Sequence, residues 1–507
     1  MAEAREHRRG ALLALFVALA CIAPAWPASA PASAPTGAPA PADINARQSD
    51  GSTDLLWAVY QADADRVSKL LKAGADVSMA NEFGATPLSE AARTGNTRIL
   101  AMLLKAGADP RAANQEGETA LHTVARTGNI ESAKLLLKAG ANINARENWG
   151  QQTPLHWAAS QNQPEMIRFL LSRGADPDAR AAVRDWQRRV TAEGRPKDMN
   201  RGGFTPLLFA ARDGFVESVH ALLQGKADIN LPDPDGTTPL LLTLINGHWD
   251  TAKLLIESGA NVNDWDFWGQ SPLYIAVDMN ILPAGFRVEL PTTDTATGID
   301  VIRMLLARGA NPNVQLKLRP PYRNAVQDRN ADATLITGAT PLMRAATGGD
   351  VEVVKLLLEA GALVDLPIED GTTPLMAAVS ASGTRGKNKT EEQALATVEL
   401  LHAAGADVNA VSRRGLTAAH SAALRGWDRL LKTLAGYGAN LDAKESDKLT
   451  PLDYAMGRSR VGFLQTKPPV RNETAALLRQ LGAKVESPNL PPWPGVGTPT
   501  VKAIVPE

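Results

Sequence analysis

Cysteine is almost missing from the 507 residues: Cys21 is the only one. That excludes an internal disulfide framework and cysteine-held zinc or iron–sulfur centres. Histidine is sparse as well, seven in all, so neither a metal nor any other cofactor is expected. No charge of one sign dominates. The 53 Lys and Arg nearly cancel the 54 Asp and Glu, which removes the basic footprint of a dedicated nucleic-acid binder, and no nucleic acid is expected as a partner. No stretch approaches the roughly 20 consecutive apolar residues of a membrane-spanning helix. Motifs with a catalytic mechanism are missing too: there is no H-E-x-x-H, no G-x-x-x-x-G-K-S/T, no G-x-S-x-G and no Gly-rich dinucleotide fingerprint. The chain does not read as an enzyme. What it has is 44% hydrophobic and 21% charged residues, enough to bury a core over most of its length.

Residues 1–30 read as an export signal. Arg5, His7, Arg8 and Arg9 precede the apolar run from Ala11 to Ala20, and small residues and prolines follow. Two cleavage sites compete. Ala28-Ser29-Ala30 has the small-x-small form but is followed by Pro31, whereas Ala18-Leu19-Ala20-Cys21 resembles the lipobox of bacterial lipoproteins, in which the cysteine is lipidated. Export is therefore expected, to the periplasm, the outer membrane or the outside, with a lipid anchor at Cys21 in the second case. Residues 31–50 read as an Ala/Pro-rich linker, since a segment dominated by Ala, Pro and Ser cannot build a packed core.

The body repeats itself. Thr86-Pro87-Leu88, Thr153-Pro154-Leu155-His156, Thr205-Pro206-Leu207, Thr238-Pro239-Leu240, Ser271-Pro272-Leu273, Thr340-Pro341-Leu342, Thr373-Pro374-Leu375 and Thr450-Pro451-Leu452 are copies of one signature, with looser copies at Thr53, Thr119 and Thr417. Successive copies are 33, 33, 34, 52, 33, 33, 69, 33, 44 and 33 residues apart, a period that overrides ordinary domain counting. A Leu-Leu pair, then Gly-Ala-Asp/Asn or a close variant, follows each time, as in Leu103-Leu104-Lys105-Ala106-Gly107-Ala108-Asp109. Glycine there ends a helix in the left-handed conformation without a Cβ clash. In the fifth unit Lys226 holds that place, and must bear the strain or pass the cap to Gly225. These residues resemble the ankyrin repeat, whose unit is a turn-based finger and two helices with a T-P-L-H-x-A signature. The resemblance covers residues 51–484 and implies an all-α solenoid of about eleven helix-turn-helix units with β-hairpin fingers. It also implies that His122, His156 and His420 bond neighbouring backbone. The first unit, with Leu55, Leu56, Trp57 and Val59, reads as an N-terminal cap.

Insertions interrupt the period near residues 181–201, 281–298, 314–336, 382–392 and 457–471, and residues 485–507 form a Pro-rich tail. The first and third lie in fingers and are locally basic. They carry Arg188 and Arg189, and Arg319 and Arg323, which makes them candidates for a shared docking edge. Residues beside the finger glycines are the other candidates for partner contact: Phe83, Glu116, Trp149, Trp268 and Arg414, with Trp265 and Phe267 next to Trp268. Trp and Arg are enriched at binding hot spots. Together these point to a monomeric, non-catalytic scaffold that binds one or more proteins through the fingers and concave face of an exported solenoid. Two alternatives stay open here, a secreted effector that binds host proteins and a cell-wall or carbohydrate binder that stacks sugars on the finger aromatics.

Overall fold

The computed structural model describes residues 43–184, 189–190, 196–197, 202–281, 293–318, 336–380, 389–458 and 469–484. The signature threonines are helix starts. Thr86 is extended, its hydroxyl accepts from the Ser89 N–H, and Ser89 Oγ accepts from the Thr86 N–H at 2.9 Å. Pro87 then takes the first helical position, where its missing N–H costs nothing.

Eleven helix pairs result. The first helices are Asp54–Tyr60, Pro87–Arg93, Ala120–Thr127, Pro154–Ser160, Pro206–Arg212, Pro239–Asn246, Pro272–Asn280, Pro341–Gly348, Pro374–Val379, Ala418–Arg425 and Pro451–Ala455. The second helices are Ala64–Lys72, Thr97–Lys105, Ile130–Lys138, Pro164–Ser172, Val216–Gln224, Trp249–Glu257, Gly298–Ala307, Val351–Glu359, Glu391–Ala403, Asp428–Gly436 and Asn472–Gln480. Each first helix packs on the first helix of the next unit and each second helix on the next second helix. One apolar core runs through the stack: Leu88, Ala91 and Ala92 meet Ile99, Leu100 and Leu103, and equivalents recur unit after unit. No unit could bury this face alone, so stability is approximately a sum of neighbour interfaces.

The fingers are turns more than hairpins. Among the described residues the only strands are Arg189–Val190 and Pro196–Lys197, antiparallel with Arg189 opposite Lys197. They extend the fifth finger beyond a bridge between Val183 and Gly202. The other described fingers are closed by a few turn bonds, such as Asn81 N–H to Ala85 C=O at 3.1 Å, and at most an isolated bridge. Residues 43–50, assigned to the linker by composition, in fact belong to the first finger. Arg47 bridges Thr53, Gly51 turns at φ 78°, and Asn45 Oδ1 accepts from the Asp76 N–H at 2.8 Å.

That last bond begins a ladder. Asn144, Asp178, Asn230, Asn263, Asn313, Asp365, Asn409 and Asp442 each accept in the same way from a backbone N–H of the next unit. This is what the Asp or Asn two residues after Gly-Ala-Asp/Asn is for. The second and third units break the pattern. Ser78 Oγ turns back to Asp76, and Arg111 Nε donates instead to the Gly140 carbonyl at 2.8 Å. The helix ends follow the glycines, with one exception resolved: Lys226 bears the strain at φ 68°. Gly225 cannot be traded for it, because a Cβ there would sit 2.2 Å from Leu171 Cδ1.

The leader of residues 1–30 with Cys21, residues 31–42, the insertion centres 282–292, 319–335, 381–388 and 459–468, and the tail 485–507 lie outside the described residues. So do Arg188, Arg319 and Arg323; of Arg189 only the backbone is described.

Candidate functional site

Most of the described fingers hang on one polar side chain at the base. Asn81 Oδ1 accepts from the Phe83 and Ala85 N–H groups at 3.1 and 3.0 Å, and Asp266 Oδ1 from those of Trp268 and Gln270 at 3.0 and 2.9 Å. Adjacent fingers are then joined by backbone bonds: Asn148 N–H to Glu116 C=O at 2.7 Å, Phe267 N–H to Asp235 C=O at 2.8 Å, Ser446 N–H to Arg414 C=O at 2.7 Å. The glycine beside the tip permits this approach. Gly117 turns at φ 78°, and a Cβ on it would lie 2.9 Å from the Asn148 nitrogen.

With the backbone committed, the tip side chains point out. Trp149 is 75% exposed, Phe83 63%, Trp265 53% and Phe267 43%, while Trp268 is half-buried with its ring edge-on to Phe267. Two of these rings carry a cation. The Arg184 guanidinium lies 4.3 Å from the Trp149 ring centroid and the Lys317 ammonium 3.2 Å from that of Trp265. Both cations come from the following finger, at the root of an insertion, so the two inserted fingers are tied to the tryptophan before them in the same way. Glu116 is exposed, and Arg414 lies 3.8 Å from Asp447 and 4.0 Å from Glu445. The candidates among the described residues thus share one edge, but Glu116 and Arg414 stand apart from the aromatic pairs.

A second surface escaped the sequence reading. On a first helix the fourth and seventh residues after the threonine share the face opposite the core. In units 1–5 these places hold Trp57 and Tyr60, Glu90 and Arg93, Thr123 and Arg126, Trp157 and Ser160, then Phe209 and Arg212. Trp57 stacks edge-on against Tyr60 at 5.4 Å, Arg93 lies over Tyr60 at 5.5 Å, Arg126 over Trp157 at 5.4 Å and Arg212 over Phe209 at 5.2 Å. Arg93 is paired with Glu90 and Arg212 with Asp213. Trp57 Nε1 is buried with no partner. In units 7 and 8 the same places hold Ile275, Asp278, Arg344 and Thr347, all buried, so the open face belongs to the first half of the stack. The only signal was positional: each of the first five units puts an aromatic or an arginine at one of two fixed offsets.

The histidines are structural. His156 is buried, its Nδ1 accepts from the Thr153 N–H at 3.1 Å, and its Nε2 therefore carries the proton and donates to the Phe204 carbonyl at 3.1 Å. His122 and His420 repeat the arrangement with Gln152 and Leu449. Burial holds all three below the ordinary imidazole value, His156 at about 4. His402, on the second helix Glu391–Ala403, is half-buried and stacked on Tyr437 at 3.7 Å.

Asp266 is the unusual carboxyl. It is buried at the base of the most aromatic finger, its Oδ2 has no partner, and burial pushes it up to about 7. An acid raised in the folded state destabilises wherever the unfolded chain is ionised and the folded one is not. Stability therefore falls as pH rises from about 4 to about 7 and is level above. Asp266→Asn keeps the accepting Oδ1, as Asn81 does in the second unit, and buries an amide in place of the charge. The variant should gain about 2 kcal/mol at pH 8 and almost nothing at pH 4, read from denaturant midpoints at the two values. An equal gain at both would mean that the carboxyl is not held protonated.

Comparison with known proteins agrees with this geometry. The model of three ankyrin repeats matches residues 37–114, 103–181, 207–316 and 295–386, and that of a single ankyrin repeat matches residues 370–413. The chain belongs to the ankyrin repeat family. It is similar to the mouse (Mus musculus) B-cell lymphoma 3 protein homolog, 32% identical over 187 residues, which covers 33% of this chain and 39% of that protein. It is also similar to the armadillo (Dasypus novemcinctus) ankyrin repeat, SAM and basic leucine zipper domain-containing protein 1, 40% identical over 108 residues, 21% of each. The chain thus spans less than half the length of these curated relatives. Among solved structures, the ankyrin repeat domain of Bcl-3 is 26% identical with a TM-score of 0.39, and the match covers 50% of this chain and 99% of that one.

Proposed function

We propose that the protein is a non-catalytic scaffold that binds other proteins through its finger edge and the open face of its first helices. One observation carries the reading: Trp149 and Trp265 stand exposed at finger tips, each with one ring face occupied by a cation from the next finger and the rest of the ring open. Rigid aromatics beside arginine and lysine are the composition of protein-binding hot spots. The basic character of residues 181–201 and 314–336 extends that edge toward partners with carboxylates. Export, from the charged and apolar order of residues 1–30, belongs to the same proposal, with Cys21 as the anchor point if the lipobox is used.

The test is capture from the native host's extract by the full chain and by Trp149→Ala/Trp265→Ala. The wild type should retain a small set of proteins, and the variant should lose at least about 90% of them at unchanged helicity. Retention of the same proteins by the variant would move the contact away from the fingers. Retention of insoluble glycan and no protein would favour the carbohydrate-binding alternative.

A further inference from the structure

The face made by Trp57, Tyr60, Arg93, Arg126, Trp157 and Phe209 has a definite charge pattern. Arg93 Nε donates to Glu90 Oε2 at 2.9 Å, and Arg212 donates to both carboxylate oxygens of Asp213, at 2.8 Å each. Those two guanidiniums are neutralised. Arg126 is exposed and makes no ion pair among the described residues; its guanidinium rests over Trp157, whose other neighbour is the buried ring of His122, edge-on at 5.4 Å. One positive charge without an ion-pair partner among the described residues, felt by Glu118 only through space, therefore sits in the third unit, with Tyr60 and Trp57 two units to one side and Trp157 and Phe209 one and two units to the other.

We infer that this face binds an extended acidic peptide segment whose Asp or Glu pairs with Arg126 and whose apolar side chains stack on the flanking aromatics. The inference rests on the scaffold reading and gives it a partner chemistry. Packed helices lie about 10 Å apart, so units 1–5 span about 40 Å, which an extended chain covers in about twelve residues. A carboxylate opposite Arg126 then has one apolar contact about three residues away, on Trp157, and another about six residues away on the other side, on Tyr60 and Trp57. Arginine suits the role, because its planar fork takes a carboxylate through two parallel bonds. A basic segment is disfavoured by the same charge, and a wholly apolar one leaves the guanidinium half desolvated and unpaired.

The test uses the full chain against three synthetic libraries of twelve-residue peptides, identical except for Glu, Gln or Lys fixed at the centre, with the remaining positions randomised over small and apolar residues. The Glu library should be retained at least about tenfold better than the Gln library, and the Lys library least. Arg126→Gln should abolish the Glu preference at unchanged denaturant midpoint, while Trp157→Ala should weaken the Glu and Gln libraries alike. Equal retention of the three libraries, or a Glu preference that survives Arg126→Gln, overturns the inference. So does failure to retain any library by a chain that still captures proteins through Trp149 and Trp265, and in that case the scaffold reading stands. Loss of both kinds of capture would remove the scaffold reading as well.

Discussion

Asp278→Ala should cost the stack about 3–5 kcal/mol, the penalty of breaking a buried ion pair from one side. Arg344, on the first helix of unit 8, reaches back to Asp278 on the first helix of unit 7. Its Nε donates to Asp278 Oδ1 at 2.8 Å, and both side chains are buried from solvent. Neither charge can be hydrated in place, so removal of the carboxylate takes from the guanidinium an ion-pair partner that water does not replace. Because the fold is a row of neighbour interfaces, the damage should be local. Denaturation of the variant should separate into two transitions, one on each side of the junction between units 7 and 8, where the wild type loses both halves more nearly together. Replacing both partners, Asp278→Leu with Arg344→Met, should recover most of the loss, since apolar pairs of similar volume often equal or exceed a buried ion pair. A single variant that melts like the wild type would show that the pair does not hold the junction.

His156→Ala should cost about 3 kcal/mol at pH 7.5 and progressively less in acid. The cost at neutral pH comes from stranding the Thr153 N–H and the Phe204 carbonyl, both now bonded to the ring, at roughly 1–3 kcal/mol for each buried orphan. The pH dependence follows from the depressed imidazole, at about 4. Burial is the main cause, and protonation of Nδ1 would also set a donor against the Thr153 N–H. Between about 4 and the unfolded value near 6.5 the unfolded chain binds a proton that the folded one does not, so wild-type stability falls as pH falls through that window. The alanine variant has no such proton to bind. Its deficit against the wild type should therefore shrink toward zero between pH 6.5 and pH 4, at no more than about 1.4 kcal/mol per pH unit in the middle of that window, measured as paired urea midpoints. A deficit constant with pH would mean that the ring is not kept neutral by the fold. His122 and His420, held in the same way, add to the acid sensitivity of the whole chain, while Asp266 works in the opposite sense.

The architecture was readable because its determinants are local and repeat. Threonine before proline caps a helix, glycine at positive φ ends one, and the 33-residue spacing of Thr53, Thr86 and Thr119 sets one unit on the next. The error at residues 43–50 has a local cause as well: the first finger has no Thr-Pro and follows an Ala/Pro run, so composition carried the linker too far. Exposed aromatics at Phe83, Trp149, Trp265 and Phe267 were legible from their place beside turn glycines. The strip through Tyr60, Arg93, Arg126 and Trp157 was not, because its members share an offset and not a residue type. They become one surface only when five helices are laid side by side. Asp266 was hidden for a related reason. Asn81, Asn114, Glu147 and Asp233 occupy the same base position, and residue type alone does not mark Asp266 as a carboxyl that burial pushes up to about 7.

The missing rung at Ser78 gives the molecule a soft joint. Every other junction along that edge is pinned by an Asx side chain or, after the third unit, by Arg111, but Ser78 spends its hydroxyl on Asp76 and leaves the second and third units without this tie. The opposite edge of that junction is held, since Asn129 Nδ2 donates to the Gly95 carbonyl at 3.2 Å and Thr97 Oγ1 bonds Ser132 Oγ at 2.9 Å, so the joint can open only on the finger side. It lies between Arg93 and Arg126, in the middle of the strip. Flexing there would swing Trp57 and Tyr60 toward or away from Trp157 and Phe209 like the arms of a pair of callipers, and would let the same set of side chains measure occupants of slightly different span.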